Sequence, residues 1–299
     1  PATLTIVDDD DSPSIAFSRA TYSVGEDEST AVITVTLSAL SDKTVTVDYA
    51  TSDGTATAGQ DYTPISGTLT FAPGVTSQTF NVIILDDALD EDDETVILTL
   101  ANAVNATLTA PNPATLTIVD DDAPPTVAFS QAVYSVGEGT GTAVITVTLS
   151  APSSKTVTVD YATSDGTSTA GQDYAPISGT LTFAPGVITQ TFSVSILDDE
   201  LDEDDETVIL TLANAVNATL ATPNPATLTI VDDDDSPSVA FSQATYSVGE
   251  GESTAVITVT LSAPSDKTVT VDYATSDGTV TGGSDYTPIS GTLTFAPGV

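Results

Sequence analysis

Apolar and polar residues alternate along most of this chain with a period of two. Ile33, Val35 and Leu37 fall on one side of an extended chain, with Thr34 and Thr36 on the other. Such alternation is the signature of a half-buried β-strand, and no comparable helical periodicity is present. The same pattern recurs in the segments 43–49, 79–84, 94–100 and 114–119.

Turn-forming residues punctuate these segments, as at Gly67, Pro73-Gly74 and Pro111. Short strands joined by such turns are typical of a β-sandwich. We therefore predict an all-β fold of tandem immunoglobulin-like antiparallel β-sandwiches with about seven strands each. The predicted strands of the first sandwich are Ser14 to Gly25 with a break near Ala20, Ser29 to Ser38, Lys43 to Thr51, Ile65 to Phe71, Thr76 to Ile84, Glu94 to Ala101 and Ala114 to Val119.

The chain repeats itself nearly letter for letter. Tyr22, Tyr134 and Tyr246 each open a YSVGE segment, so the repeat is 112 residues long. That period is the size of a whole domain and is well above that of a solenoid unit. We expect the last strand of a preceding repeat in 1–11, two complete domains in 14–122 and 126–235, and a truncated third domain in 238–299.

The charge is strongly one-sided. The chain has 43 acidic residues and a formal net charge of -39, and its only basic residues are Arg19, Lys43, Lys155 and Lys267. This balance argues against nucleic acid and against an anionic membrane surface as partners, and no apolar run is long enough for direct membrane insertion. With no Cys and no His, only oxygen ligands remain for a metal, which favours hard ions.

The acidic residues gather in four segments of each complete copy. If consecutive strands alternate in direction, the segments 26–28, 53, 86–93 and 120–122 all lie at one end of the sandwich, whereas the loops at the other end carry almost no charge. Calcium takes six to eight oxygens in a flexible arrangement, and magnesium prefers a smaller octahedron with its waters retained. We interpret this acidic end as a calcium site. The competing interpretation is a solvated acidic surface, which does not explain why four distant segments meet.

Five segments carry a resemblance to a known family. YSVGE, TSDGTATAGQDY, FAPG, ILDDALDEDDE and TLTIVDDD occur in this order, and the chain resembles the Calx-beta domain along its whole length. The resemblance implies a calcium-binding β-sandwich with several ions per complete domain. The ligands that it implies in the first copy are Glu26, Asp53, Asp86, Asp87, the Leu89 carbonyl, Glu91, Glu94, Asp120, Asp121 and Asp122.

The second copy has the same residue types at each of these positions. The implied ligands there are Glu138, Asp165, Asp198, Asp199, the Leu201 carbonyl, Glu203, Glu206, Asp232, Asp233 and Asp234. The partial copies keep fewer of them, namely Glu250 and Asp277 in the third and Asp8, Asp9 and Asp10 in the first segment.

Some of these residues also fit a structural role. Asp53-Gly54 is a common turn dipeptide. Asp61-Tyr62 fits a loop fixed by a side-chain to backbone hydrogen bond better than it fits a metal ligand. Asn105 and Asn217 begin glycosylation sequons, a pattern that is frequent by chance.

Two functional hypotheses follow. Because each acidic end leads within a few residues into the next repeat, the chain is predicted to be a calcium-stiffened segment of an extracellular or cell-surface protein, such as an adhesin stalk or filament. Its partners would be calcium ions, neighbouring repeats and like chains in a filament. The alternative is a calcium sensor that regulates an attached transporter or effector. An enzyme is not expected, because a glycosidase carboxylate pair would need a single acid with a raised pKa and an aromatic platform.

Overall fold

A computed structural model of the chain describes residues 2–5 and 11–299. The regular secondary structure of these residues consists of β-strands, and the one helical element among them is the short 3-10 turn Glu138–Thr140. None of the described helices is long and apolar enough to cross a membrane. The chain divides into two compact units. Unit 1 contains the described residues up to 125 with the loops 151–156 and 184–187, and unit 2 contains 126–150, 157–183 and 188–299.

Unit 1 is a sandwich of two five-stranded sheets, with the strand orders β5-β7-β3-β1-β9 and β2-β10-β8-β4-β6. Its strands are β1 (Ser14–Phe17), β2 (Thr21–Gly25), β3 (Thr30–Leu37), β4 (Val45–Asp53), β5 (Tyr62–Thr63), β6 (Ser66–Phe71), β7 (Ser77–Ile84), β8 (Glu94–Val104), β9 (Thr107–Leu108) and β10 (Ala114–Val119). The predicted all-β sandwich is confirmed, and the two-residue strands β5 and β9 add to the seven predicted strands.

The predicted break near Ala20 moves the chain from one sheet to the other. Before the break, β1 pairs with β3 in the first sheet. After it, β2 runs parallel to β10 in the second sheet, with Val24 opposite Ile118. This parallel pairing places the ends of β2 and β10 side by side, and the acidic residues follow directly after both ends.

The core of unit 1 is built from the alternating residues. In β3, Ile33 and Val35 are fully buried, whereas Val32 on the opposite side is exposed. Phe17, Phe71 and Leu98 are among the largest buried side chains between the two sheets. Burial of a side chain of this size stabilises the fold by about 1.5–3 kcal/mol, so the two-residue period explains why these segments become strands.

Unit 2 contains a second sandwich of the same kind. Its sheets have the strand orders β16-β13-β11-β18 and β12-β19-β17-β14-β15, and the pairs β20-β21 and β22-β23 form two further small sheets. The strands are β11 (Thr126–Phe129), β12 (Val133–Gly137), β13 (Thr142–Leu149), β14 (Val157–Asp165), β15 (Ser178–Phe183), β16 (Thr189–Ser195), β17 (Glu206–Val216), β18 (Thr219–Leu220), β19 (Ala226–Val231), β20 (Val239–Phe241), β21 (Val259–Leu261), β22 (Val269–Ala274) and β23 (Ser290–Phe295).

Strand register brings the acidic segments of unit 1 to the same end of the second sheet. Glu94 at the start of β8 lies opposite Ile118 near the end of β10. Asp53 at the end of β4 lies opposite Val96, two residues further along β8. The equivalent pairs in unit 2 have the same register. The ends of β2, β10 and β4 and the start of β8, which are four consecutive strands of this sheet, thus present carboxylates to the same region.

Candidate metal centre

The end of β2 and the end of β10 are tied together at the base of the acidic region. The Glu26 amide donates a hydrogen bond to the Val119 carbonyl at 2.9 Å. One residue further, the Asp120 amide donates to Oδ1 of Asp93 at 3.3 Å, which links the terminal acidic triplet to the loop before β8. Asp232 and Asp205 form the same contact in unit 2. These hydrogen bonds therefore fix the backbone positions from which the side chains of Glu26 and Asp120 extend.

Glu26 and Glu138 are buried carboxylates at the centre of this region. They are 5% and 4% exposed, respectively. Burial, followed by the nearby charge of Asp87, raises the pKa of Glu26 from 4.5 to about 7. Burial and the charge of Asp199 raise the pKa of Glu138 to about 7 in the same way. Each of these side chains is buried among like charges, an arrangement that a cation would relieve.

A second carboxylate group lies beside Glu26 in unit 1. It consists of Asp61, Glu91 and Glu94, each of which offers an oxygen within 4.8 Å of the others. Burial, then the hydrogen bond and charge of Asp61, raises the pKa of Glu94 to about 8. In unit 2 the equivalent residues group in the same way, and burial likewise raises the pKa of Glu203 and of Glu206 to about 7.

Unit 2 has a further group made of Glu138, Asp232 and Asp234, again with oxygens within 4.8 Å. In unit 1 the equivalent acids Asp120 and Asp122 contribute to the raised pKa of Glu26. The terminal triplets are therefore brought to the buried glutamate in both units. Asp86 and Asp87 lie near as well, because their charges help to raise the pKa of Asp122, after burial and its neighbours in the triplet.

Several carboxylate oxygens in this region are buried and have no hydrogen-bond partner among the described residues. An ionised carboxylate oxygen can accept a hydrogen bond, for example from water, or can ligate a cation. A buried carboxylate oxygen without a partner is costly, and a hard cation would satisfy several of them at once. The residues thus fit calcium ligation. In the part of the chain that the structure describes, the carboxylate oxygens of this kind are Oδ1 of Asp120, Oδ2 of Asp122, Oε2 of Glu206, Oδ1 of Asp232 and Oδ2 of Asp234.

The loop before β8 has a turn that orients its predicted ligands. Oδ1 of Asp87 accepts a hydrogen bond from the Leu89 amide at 2.7 Å, and Asp199 holds Leu201 in the same way at 2.7 Å. One oxygen of each aspartate is used by the turn and the other stays available. Whether the Leu89 and Leu201 carbonyls and the two triplet acids Asp121 and Asp233 ligate metal stays a prediction.

Asp53 has the structural role that its turn dipeptide indicates. Its Oδ1 accepts hydrogen bonds from the Ala58 amide at 3.0 Å and from the Tyr62 hydroxyl at 2.8 Å. Burial, followed by this bond to Asp53, raises the pKa of Tyr62 to about 12. Asp165 makes the same two contacts in unit 2. Asp53 therefore fixes the loop after β4 through one oxygen, and ligation through the other stays a prediction.

Asp61 and its counterpart Asp173 are candidate ligands that the sequence argument did not select. The expected loop contact is present, since Oδ2 of Asp61 accepts a hydrogen bond from the Thr57 amide at 2.5 Å. The same side chain also belongs to the group with Glu91 and Glu94. Its place directly before the fully buried Tyr62 was the available signal, because the tyrosine anchors the loop against the end of β7.

The partial copies, 1–11 and 238–299, contribute fewer of the predicted ligands to carboxylate groups. Asp8, Asp9 and Asp10 lie outside the described residues. Oδ1 of Asp277 accepts from the Gly282 amide at 2.7 Å and from the Tyr286 hydroxyl at 2.9 Å, as in the complete copies. Glu250 is exposed, and in the described part of the chain neither it nor Asp277 joins a group of three carboxylates.

Comparison with known proteins gives one family match that spans the chain. The model of the Calx-beta domain matches residues 8–122, 120–234 and 232–299. Extracellular matrix protein 3 of Lytechinus variegatus is 32% identical over an alignment of 321 residues, which covers 99% of this chain and 10% of that protein. Sodium/calcium exchanger 1 of Rattus norvegicus is 32% identical over 227 residues, which covers 69% of this chain and 23% of that protein.

Among solved structures, the crystal structure of CBD12 from CALX1.2 aligns with 73% of this chain and 99% of its own, at 24% identity and a TM-score of 0.37. The chain thus spans about a tenth to a quarter of the length of the two relatives named above.

Proposed function

Because the chain belongs to the Calx-beta domain family, we propose that each complete repeat binds several calcium ions at its acidic end and that these ions stiffen the array of repeats. The observation that supports this most strongly is the set of buried carboxylate oxygens that have no hydrogen-bond partner within residues 2–5 and 11–299, among them those of Asp120, Asp122 and Glu206. Hard oxygen ligands of full negative charge select calcium over softer ions.

The carboxylate groups suggest how calcium changes the protein. Without a cation, Glu26 and Glu94 must either take up protons or repel their neighbours, as their raised pKa values express. Calcium would replace those protons and hold the loop 86–93, the end of β2 and the terminal triplet together. Three segments that repel one another would then become one cross-linked end of the sandwich.

The position of this end along the chain connects calcium to mechanical stiffness. Only Ala123, Pro124 and Pro125 separate Asp122 from Thr126, the first residue of β11. Prolines restrict a short linker, and a triplet fixed by calcium would leave it little freedom. We therefore assign the chain a structural role in a long extracellular or cell-surface protein, such as a stalk or a filament of like chains, and no catalytic activity.

Extracellular modules that act in this way bind calcium with dissociation constants on the order of 0.1 to 1 mM. The relative named as an extracellular matrix protein matches 99% of the chain, which favours an extracellular setting. The similarity to sodium/calcium exchanger 1 over 69% of the chain favours the second candidate, a calcium sensor that acts on an attached domain.

Small-angle scattering and thermal denaturation with calcium and with EDTA test the proposal. We expect calcium to increase the maximum dimension of the chain measured by scattering and to raise its melting temperature. Magnesium at the same concentration should have a smaller effect on both. Identical scattering and melting in calcium and in EDTA would refute the structural role. A calcium response that saturates at micromolar rather than millimolar concentration would favour the sensor.

A further inference from the structure

Asp202, in the loop 198–205, belongs to none of the groups of three carboxylates among the described residues. Asp202 is 4% exposed and packs within unit 2 against Ser265, which is 1% exposed. The Ser265 hydroxyl donates to Oδ2 of Asp202 at 2.7 Å, and Nζ of Lys267 donates to Oδ1 at 3.0 Å. Both oxygens of this carboxylate therefore have donors, whereas one oxygen of Asp232 and one of Asp234 have none among the residues that the structure describes.

The backbone carbonyls of Asp202 and its neighbour Glu203 also accept hydrogen bonds from the loop that contains Ser265. The Asp202 carbonyl accepts hydrogen bonds from the Asp266 amide at 3.1 Å and from the Ser265 hydroxyl at 3.2 Å. Nζ of Lys267 also donates to the Glu203 carbonyl at 2.6 Å. The receiving loop is itself held in shape, since the Lys267 amide donates to the Ser265 hydroxyl at 3.1 Å. Two loops from different repeats thus fit each other through backbone and side-chain contacts together.

The same contact is present in unit 1, which includes the loop 151–156. Asp90 is 2% exposed. Its Oδ2 accepts from the Ser153 hydroxyl at 2.7 Å and its Oδ1 from Nζ of Lys155 at 2.9 Å. The Ser154 amide donates to the Asp90 carbonyl at 3.1 Å. The geometry therefore recurs where the local sequences differ, with Ser154 in place of Asp266.

The placement of the basic residues supports a dedicated role for this contact. Three of the four basic residues of the chain, Lys43, Lys155 and Lys267, stand at the same position of successive repeats, two residues after a serine. In the first repeat, the Lys43 amide donates to the Ser41 hydroxyl at 3.1 Å, as in the other two. In a chain of net charge -39, this Ser-x-Lys segment is the recurrent source of positive charge.

We propose that the Ser-x-Lys segment of each repeat is a docking surface for the loop aspartate of the repeat that precedes it, and that this latch holds without metal. The occupant is a Leu-Asp-Glu loop of the same kind of repeat, as at 89–91 and 201–203. The aspartate of this ion pair is buried, whereas the Lys267 side chain is 39% exposed. Removing the donors of a buried carboxylate leaves its charge uncompensated and destabilises the contact, whereas an ion pair that is exposed at both ends contributes little. Calcium would then act on repeats that are already latched, which goes beyond the calcium-dependent stiffening proposed above.

Distance measurements between two spin labels, made in EDTA, test the latch. Because the chain has no cysteine, one label can be placed on an exposed strand residue of the second repeat and one on the third. Lys267→Gln and Asp202→Asn are each expected to broaden the distance distribution at least twofold. The matched control is Asp204→Asn, because Asp204 lies 3.5 Å from the same lysine but its side chain is 92% exposed. That variant is expected to leave the distribution unchanged.

Ser265→Ala provides a second test that keeps both charges, and it is also expected to broaden the distribution. Thermal denaturation of each variant verifies that the repeats remain folded. Unchanged distributions in Lys267→Gln, Asp202→Asn and Ser265→Ala, or equal broadening in Asp204→Asn, would overturn the latch. The calcium response is measured separately on the same labelled chain. A response to calcium without any effect of these variants in EDTA would reject the latch and leave the calcium proposal standing, and the reverse result would do the opposite.

Discussion

Replacing the buried Glu138 by glutamine should stabilise the protein when calcium is absent and should weaken its stabilisation by calcium. Glu138 is 4% exposed, and one of its oxygens lies within 4.8 Å of oxygens of Asp232 and Asp234. Without a cation, this side chain is either ionised among like charges or protonated. Glutamine removes the charge and keeps nearly the same size and shape. The opposite signs under the two conditions make the substitution a sharp test.

The expected magnitude follows from the pKa of this group. Burial, and then the charge of Asp199, raises the pKa of Glu138 from 4.5 to about 7. Because the folded-state pKa lies above the unfolded-state value, the stability associated with this group is complete below pH 4.5 and is lost as the pH rises through 7. At about 1.4 kcal/mol per pKa unit, the loss by pH 7 is on the order of 3 kcal/mol. Glutamine does not ionise and should avoid it.

The assay is urea denaturation of the whole chain in EDTA and in saturating calcium, near pH 5 and near pH 7.5. In EDTA, Glu138→Gln should unfold at higher urea than the original chain at the higher pH and at nearly the same urea at the lower pH. In saturating calcium, Glu138→Gln should instead unfold at lower urea than the original chain. The matched control is Glu200→Gln, which removes the same charge from an exposed position near Asp199, where the first repeat has Ala88.

The control should change the denaturation midpoint little under any of these conditions. The reasoning is refuted if Glu138→Gln unfolds at lower urea than the original chain in EDTA at the higher pH. It is refuted equally if Glu138→Gln and Glu200→Gln behave alike, because the effect would then arise from net charge and not from burial.

Three further predictions concern the same region. Asp173→Asn should weaken calcium binding by about tenfold or more, equivalent to about 1.4 kcal/mol, in a calorimetric titration where the exposed Glu252→Gln changes nothing. Calcium should bind more tightly at about pH 8 than at about pH 5 and should release protons, because the cation displaces them from Glu138 and Glu206. Calorimetric titrations in two buffers of different ionisation enthalpy measure the proton release, and equal binding heats in the two buffers would contradict it. Leu210→Ala, at a fully buried core position, should cost about 2–5 kcal/mol of unfolding free energy in urea, with calcium affinity unchanged.

The sequence predicts the strands and the acidic end well, because both depend on local pattern. Ile33 and Val35 alternate with threonine, and they are fully buried in the structure. The break near Ala20 was also visible, and it lies between β1 and β2. Strand direction alone brings Glu26 and Asp120 to the same end, and the parallel pairing of β2 with β10 places them there.

The contributions that the sequence did not predict depend on three-dimensional packing. Asp61 was interpreted as a loop residue, and it reaches Glu94 only because Tyr62 pairs with Ile84 at the edge of the first sheet. The role of Lys267 depends on a loop 65 residues earlier in the chain, and a charge pattern gives no partner at that separation. Asp202 could not be separated from its acidic neighbours by residue type, because burial and hydrogen bonding distinguish it from them.

A calorimetric calcium titration of the chain tests the central claim most directly, since calcium binding at the acidic ends underlies the structural role. The account predicts saturable binding of more than one ion per complete repeat, with dissociation constants on the order of 0.1 to 1 mM. Binding should fall to the heats of dilution at these sites when Glu26 and Glu138 are both replaced by glutamine and Asp120 and Asp232 by asparagine. Heats of dilution alone for the original chain, or binding that these four substitutions leave intact, would contradict it.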